Sequence, residues 1–137
     1  MVKSIQVAKR DGSKEPLDLE KLHKVIIHAC DGVTGVSPSQ VELNSHISFA
    51  DGITSDEIQE TMIKAAADLI SEETPNYQLV AGRLITYHLR KQVYGQFEPP
   101  ALLDVIKKNI ANAMYDSELL TWYNEEEINQ MNNWIDH

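Results

Sequence analysis

Four cations stand where an anion could be held. Lys9 and Arg10 directly precede Asp11-Gly12, a dipeptide that tolerates the positive φ of a tight hairpin turn. Lys21 falls one turn into the helix that should follow the hairpin, and Lys91 falls near the end of a later helix. A polyphosphate needs several cations, backbone N–H donors and often a metal ion. A hairpin loop beside a helix start supplies N–H groups and the positive end of a helix dipole. On residue types alone, cations in such places are more often plain surface charges.

Other chemistry is not signalled. His23, His28, His46, His88 and His137 give no metal-ligand spacing such as HExxH. There is no GxSxG or phosphate-loop pattern, and no nucleophile–base pair can be named. The many carboxylates fall on expected helix surfaces and first turns. Cys30 is the single cysteine, so neither a disulfide framework nor a cysteine metal site can be built. Its apolar helical setting marks it as a buried structural thiol.

The elements that must position the cations read as follows. Ser4 to Lys9 alternates as a short strand with Ile5 and Val7 on one face, and Lys14 to Leu17 returns beside it. Pro16, which lacks an N–H, suits an edge strand. Asp18 caps a first helix carrying Leu19, Leu22, Val25, Ile26 and Ala29 inward, and Gly32 and Gly35 end it. Ser37 to Gln40 has the pattern of a capping box with proline at the first helical position. It opens a second helix with Val41, Ile47 and Leu43 as inward candidates. Ile53 and Thr54 can be briefly extended, giving a third short strand. Thr54 to Glu57 is again a capping-box pattern. The third helix carries Ile58, Met62, Ala65, Ala66, Leu69 and Ile70 along one face.

Thr74-Pro75 starts a fourth helix, with Tyr77, Val80, Ala81, Leu84, Leu89 and Val93 inward and Gly95 as its stop. Pro99-Pro100 is the clearest punctuation in the chain. Shorter helices are expected from Ala101 to Met114, from Ser117 to Tyr123, and from an Asn124 cap onward with Glu125, Glu126 and Glu127 in the first turn. The last of these runs to His137 without a stop signal, which suggests a cut rather than a natural end. The expectation is a mainly α fold, a hairpin or three-stranded sheet capping a four-helix bundle, followed by a truncated helical segment. The domains are residues 1–95 and 96–137.

The 137 residues suit one domain with a fragment of the next, and 42% apolar with 24% charged residues suits a folded globular chain. The formal net charge is −9, distributed unevenly. Met1 to Lys24 carries six cations and four anions, whereas Glu98 to His137 carries two cations and eight anions. That balance disfavours non-specific nucleic-acid binding, since polyanions require a basic face, but leaves room for a small basic pocket near the N-terminus. No apolar leader and no run of about 18 apolar residues is present, so no membrane segment and a cytoplasmic location are expected.

The run Val7-Ala8-Lys9-Arg10-Asp11-Gly12-Ser13, followed by Glu15, Asp18 and Lys21, resembles the start of an ATP-cone domain. The likeness continues through Asp51-Gly52-Ile53-Thr54-Ser55, through Ile63 to Ser71, and through Pro75-Asn76-Tyr77-Gln78. It runs on through His88-Leu89-Arg90-Lys91 and Tyr94 to Pro100. Together these resemble the N-terminus of class I ribonucleoside-diphosphate reductase large subunits of enteric bacteria and their phages. The tail from Met114 to His137 resembles the helical stretch leading into the catalytic barrel of those subunits.

The resemblance implies an allosteric overall-activity domain that binds ATP as activator and dATP as inhibitor, with magnesium carried on the nucleotide phosphates and no metal ligand from the protein. It implies phosphate or nucleotide-edge contacts from Lys9 and Arg10, and a segment under the nucleotide made of Glu15, Pro16, Leu17, Asp18, Leu19, Glu20 and Lys21. Lys21 and Lys91 would reach phosphate. Val7, Ser55, Ile58, Gln59 and His88 complete the implied nucleotide site, with Ser55 in the place of a hydroxyl residue that is usually threonine. Partners implied are the rest of the large subunit and the small, radical-bearing subunit in an inhibited assembly. The catalytic cysteines, radical-transfer tyrosines and specificity site of the family lie beyond residue 137, so no catalytic residue is expected here.

Three positions depart from close members of the family. Histidine is common where Gln59 stands, near the sugar, and glutamine can donate and accept but cannot become cationic. Some members carry tryptophan at His28 and phenylalanine at Tyr87, positions linked to a second bound nucleotide. His28 and Tyr87 can still stack on a base. Two other classes remain open. One is a cone that has lost nucleotide binding and serves as a docking module. The other is a transcriptional repressor, in which a cone accompanies a four-cysteine zinc ribbon; this chain has one cysteine.

Overall fold

Val7, between Gln6 and Ala8, is the buried residue of a strand that forms only a short hairpin. In the computed structural model, which describes residues 4–46 and 48–137, β1 (Gln6–Ala8) pairs antiparallel with β2 (Lys14–Pro16). The register sets Val7 opposite Glu15 and Gln6 opposite Pro16. Gly12 turns the chain at φ +85°, a conformation that suits a residue without Cβ. Thr54 joins this sheet through a single parallel bridge to Ala8, so the expected third strand is reduced to one residue.

The chain divides into two units, residues 1–89 and 90–137. In the first, α1 (Leu19–Cys30), α2 (Pro38–His46), α3 (Ser55–Asp68) and the greater part of α4 (Tyr77–Tyr94) surround one apolar core. Ile26, Val41, Met62, Val80 and Leu84 are fully buried in it, and Val7 joins them from β1. α3 has both halves of its capping box: the Thr54 hydroxyl accepts the Glu57 N–H, and the Glu57 carboxylate accepts the Thr54 N–H. α1 ends against α4, where the Arg83 guanidinium donates to the carbonyls of Ala29 and Asp31. Those are end carbonyls that no further turn of α1 can satisfy.

Several sequence expectations are corrected. Ser37 does not form a capping box with Gln40, because its N–H donates to the Tyr77 hydroxyl at 2.9 Å. An acceptor supplied by the core replaces the local one. Leu19, Leu43, Ile70, Leu89 and Val93, expected to face inward, are exposed. Leu19 and Ile70 lie at helix ends, and Leu89 and Val93 lie on turns of α4 beyond Leu84, its last fully buried residue. Ile47 falls outside the described residues.

In the second unit, α5 (Leu102–Ala111), α6 (Leu119–Trp122) and α7 (Glu125–Asn132) follow the end of α4. α5 and α7 bury Ile106 and Ile128, the Asn132 side chain accepts the Leu102 N–H at 2.8 Å, and Lys107 pairs with Glu125. α7 stops at Asn132 and does not reach His137 as expected. Trp134 and Ile135 beyond it are exposed, so burial rewards no further turn.

Candidate functional site

The hairpin brings two helix starts together. β2 runs directly into α1, and the Leu17 N–H donates to the Ile5 carbonyl. The Asp18 side chain then accepts the Lys21 N–H and caps α1. On the other side of β1, the loop before α3 is stitched on by three bonds. Ala8 N–H donates to the Ile53 carbonyl, Gly52 N–H to the Gln6 carbonyl, and Gln6 N–H to the Asp51 carboxylate, each at 2.9 Å. The positive dipole ends of α1 and α3 therefore both lie next to the sheet that carries the cations.

Each hairpin cation has an acidic partner. Lys9 Nζ lies 2.5 Å from Glu15 Oε1 across the two strands. Arg10 Nη2 donates to Asp56 Oδ1 at 2.6 Å, tying the hairpin to the first turn of α3. At the turn, Asp11 accepts both the hydroxyl and the N–H of Ser13, and these bonds hold its carboxyl below the ordinary aspartate value. Asp18, Leu19, Glu20 and Lys21 are exposed in the first turn of α1, and Leu17 packs half-buried against the core.

On α3, Ser55 and Gln59 are four residues apart and so share one face of its first two turns. Gln59 is only 6% exposed, and its Oε1 has no hydrogen-bond partner. A buried amide oxygen in that condition costs free energy unless something donates to it. Val7 and Ile58 commit their side chains to the core, each 4% exposed. His88 lies half-buried on α4, beside Tyr87. The Tyr87 ring is 5.6 Å from that of His28, tilted by 31°. Lys91 belongs to the second unit, where its ammonium lies 4.8 Å over the Phe97 ring. Cys30 is buried, as its sequence context implied. Desolvation pushes its thiol pKa up, partly offset by the charge of Arg83.

The family model of the ATP cone domain matches residues 5–92. The chain belongs to the ATP cone family. Over all 137 residues it is 54% identical to the ribonucleoside-diphosphate reductase 1 subunit alpha of Escherichia coli strain K12. It is 52% identical over the same length to the corresponding alpha subunit of Haemophilus influenzae. Over 133 residues it is 42% identical to the alpha subunit of Enterobacteria phage T4. The chain spans 18% of the length of each of these three relatives.

Within the cone, sequence reasoning missed Asp56. Its only local signal is an acidic residue in a helix first turn, which is ordinarily a dipole preference. Its ion pair with Arg10 spans 46 positions and needs the fold to exist. A second feature that the sequence did not mark is a groove of about 540 Å³ lined by Asp51, Ile53, Glu57, Glu60, Thr61 and Lys64, among others. By helical spacing it lies around α3 from Ser55 and Gln59, and its acidic lining is unsuited to a polyphosphate. Among the described residues no group of three or more His, Cys, Asp or Glu side chains could hold a metal ion, and no helix is long and apolar enough to cross a membrane.

Proposed function

We propose that this cone is the overall-activity sensor of a ribonucleotide reductase large subunit, binding ATP as activator and dATP as inhibitor. The observation that carries this reading is the buried Gln59 amide oxygen without a donor, on the face it shares with Ser55, at the end of α3 stitched to the cationic hairpin. A nucleoside triphosphate supplies what that arrangement calls for: phosphates for Lys9, Arg10 and Lys21, and a hydroxyl or amine donor for Gln59. Glu15 through Lys21 form the strip beneath it, with the backbone of Val7 and Ile58, whose side chains face the core, and the side chain of His88 beside it. Magnesium travels on the phosphates, where it would offset the carboxylates of Glu15 and Asp56.

Regulation then follows as a population shift. A ligand shifts an equilibrium only by its differential affinity for two states. The two effectors differ at the sugar 2′ position, so that one group must favour different assemblies. The partners are the rest of the alpha subunit and, in the inhibited state, the radical-bearing small subunit, in the cytoplasm. His28 and Tyr87 form a candidate platform for a second nucleotide. The chain itself carries no group for reduction, and turnover of a ribonucleotide by it alone would contradict this.

One observation favours a second reading, a cone kept for docking after losing its ligand: Lys9 and Arg10 are already neutralised by Glu15 and Asp56. Size measurement of a full-length alpha subunit bearing this cone, mixed with its small subunit, separates the two. The sensor reading expects a larger particle with dATP than with ATP. The docking reading expects one size with either.

A further inference from the structure

We propose that Asp56 is a built-in competitor for the nucleotide phosphates at Arg10, setting the concentration at which the cone fills. This rests on the nucleotide-site reading above. The Asp56 carboxylate lies 2.6 Å from Arg10 Nη2 at the start of α3, a position where the helix dipole favours an anion. Guanidinium binds carboxylate and phosphate through the same planar fork, so the two anions contend for one partner. Asp56 is not a member of the capping box, since Thr54 and Glu57 supply both of its halves. Nor is the pair a buried strut. The Arg10 and Asp56 side chains are 42% and 43% exposed, so the contact is weak enough for a triphosphate to break. Once displaced, the carboxylate remains near the phosphates and repels them.

Removing the charge while keeping the shape tests this. Wild type and Asp56→Asn are titrated with ATP and with adenosine at fixed low salt and magnesium, after circular dichroism melts show both chains folded. Asp56→Asn is expected to bind ATP about threefold or more tightly, the scale of an exposed ion pair, with adenosine unchanged. In an Arg10→Ala background the gain should shrink, because the contested partner is gone. Unchanged or weaker ATP binding by Asp56→Asn overturns the proposal, as does an equal gain for adenosine. ATP binding by neither chain overturns the nucleotide-site reading as well, whereas binding by wild type without a gain in the variant overturns this inference alone.

Discussion

Ala8 and Thr54 meet in a one-residue parallel bridge, and that contact places the start of α3 against the strand that leads into Lys9 and Arg10. The residue that bridges to β1 is also the N-cap of α3, so sheet and helix start form one unit. The Thr54 hydroxyl accepts the Glu57 N–H at 3.1 Å. Thr54→Ala should destabilise the first unit by about 1 kcal/mol. Urea unfolding followed by circular dichroism should show a lower midpoint with an unchanged slope. A midpoint equal to wild type would mean that the bridge, not the cap, holds the helix start.

The same capping box makes stability pH-dependent. The Thr54 N–H, and then its hydroxyl, hold the Glu57 carboxyl below the ordinary glutamate value. A group with a lowered folded-state pKa binds fewer protons folded than unfolded in that window, so its contribution is complete above the unfolded value. It is lost as pH falls from about 4.3 through the folded pKa. Asp11, lowered by Ser13, acts in the same direction. Melting temperatures of Glu57→Gln should therefore fall less steeply below about pH 4.5 than those of wild type. Parallel slopes would remove Glu57 from the acid response.

Tyr77 is 4% exposed, and its hydroxyl accepts the Ser37 N–H ahead of α2. Tyr77→Phe keeps the ring and removes the acceptor. The expected loss is about 1 kcal/mol, measured by denaturant unfolding, because a polar group loses its partner without a cavity forming. A neutral result would show that the Ser37 N–H finds water or the Gln40 side chain instead.

Leu84 and Leu89 lie on the same helix and differ in burial, 0% against 55% exposed. Leu84→Ala should cost about 3 kcal/mol through lost burial and a residual cavity. Leu89→Ala should stay within about 0.5 kcal/mol of wild type. Equal costs would contradict the end of α4 burial near Leu84.

The contrast between those leucines shows what the sequence could carry. Local devices were legible because their parts lie within a few residues: Gly12 in the turn, Asp18 over Lys21, Thr54 with Glu57, Asn124 with Glu127. Apolar spacing identified Ile26, Met62 and Leu84 as core. It failed at Leu19, Ile70, Leu89 and Val93, because periodicity reports a helix face and not how far along the helix the core extends. Ser37 failed because Tyr77, forty positions away, outcompetes Gln40 as the acceptor. Around the site, residue types and family likeness brought forward Lys9, Arg10, Ser55 and Gln59. Glu15 as the partner of Lys9 follows from the hairpin register, whereas the partner Asp56 and the missing donor at Gln59 depend on tertiary contacts that no local pattern encodes.

Calorimetric titration of the chain with ATP and then dATP, at fixed salt with magnesium, tests the sensor reading most directly. Both nucleotides should bind, and Lys9→Ala should weaken both by about tenfold through loss of a charge-assisted contact. The heats also give the stoichiometry, two nucleotides if His28 and Tyr87 form a second platform. No binding of either nucleotide by a folded chain would contradict the sensor reading and leave docking as the role of the cone.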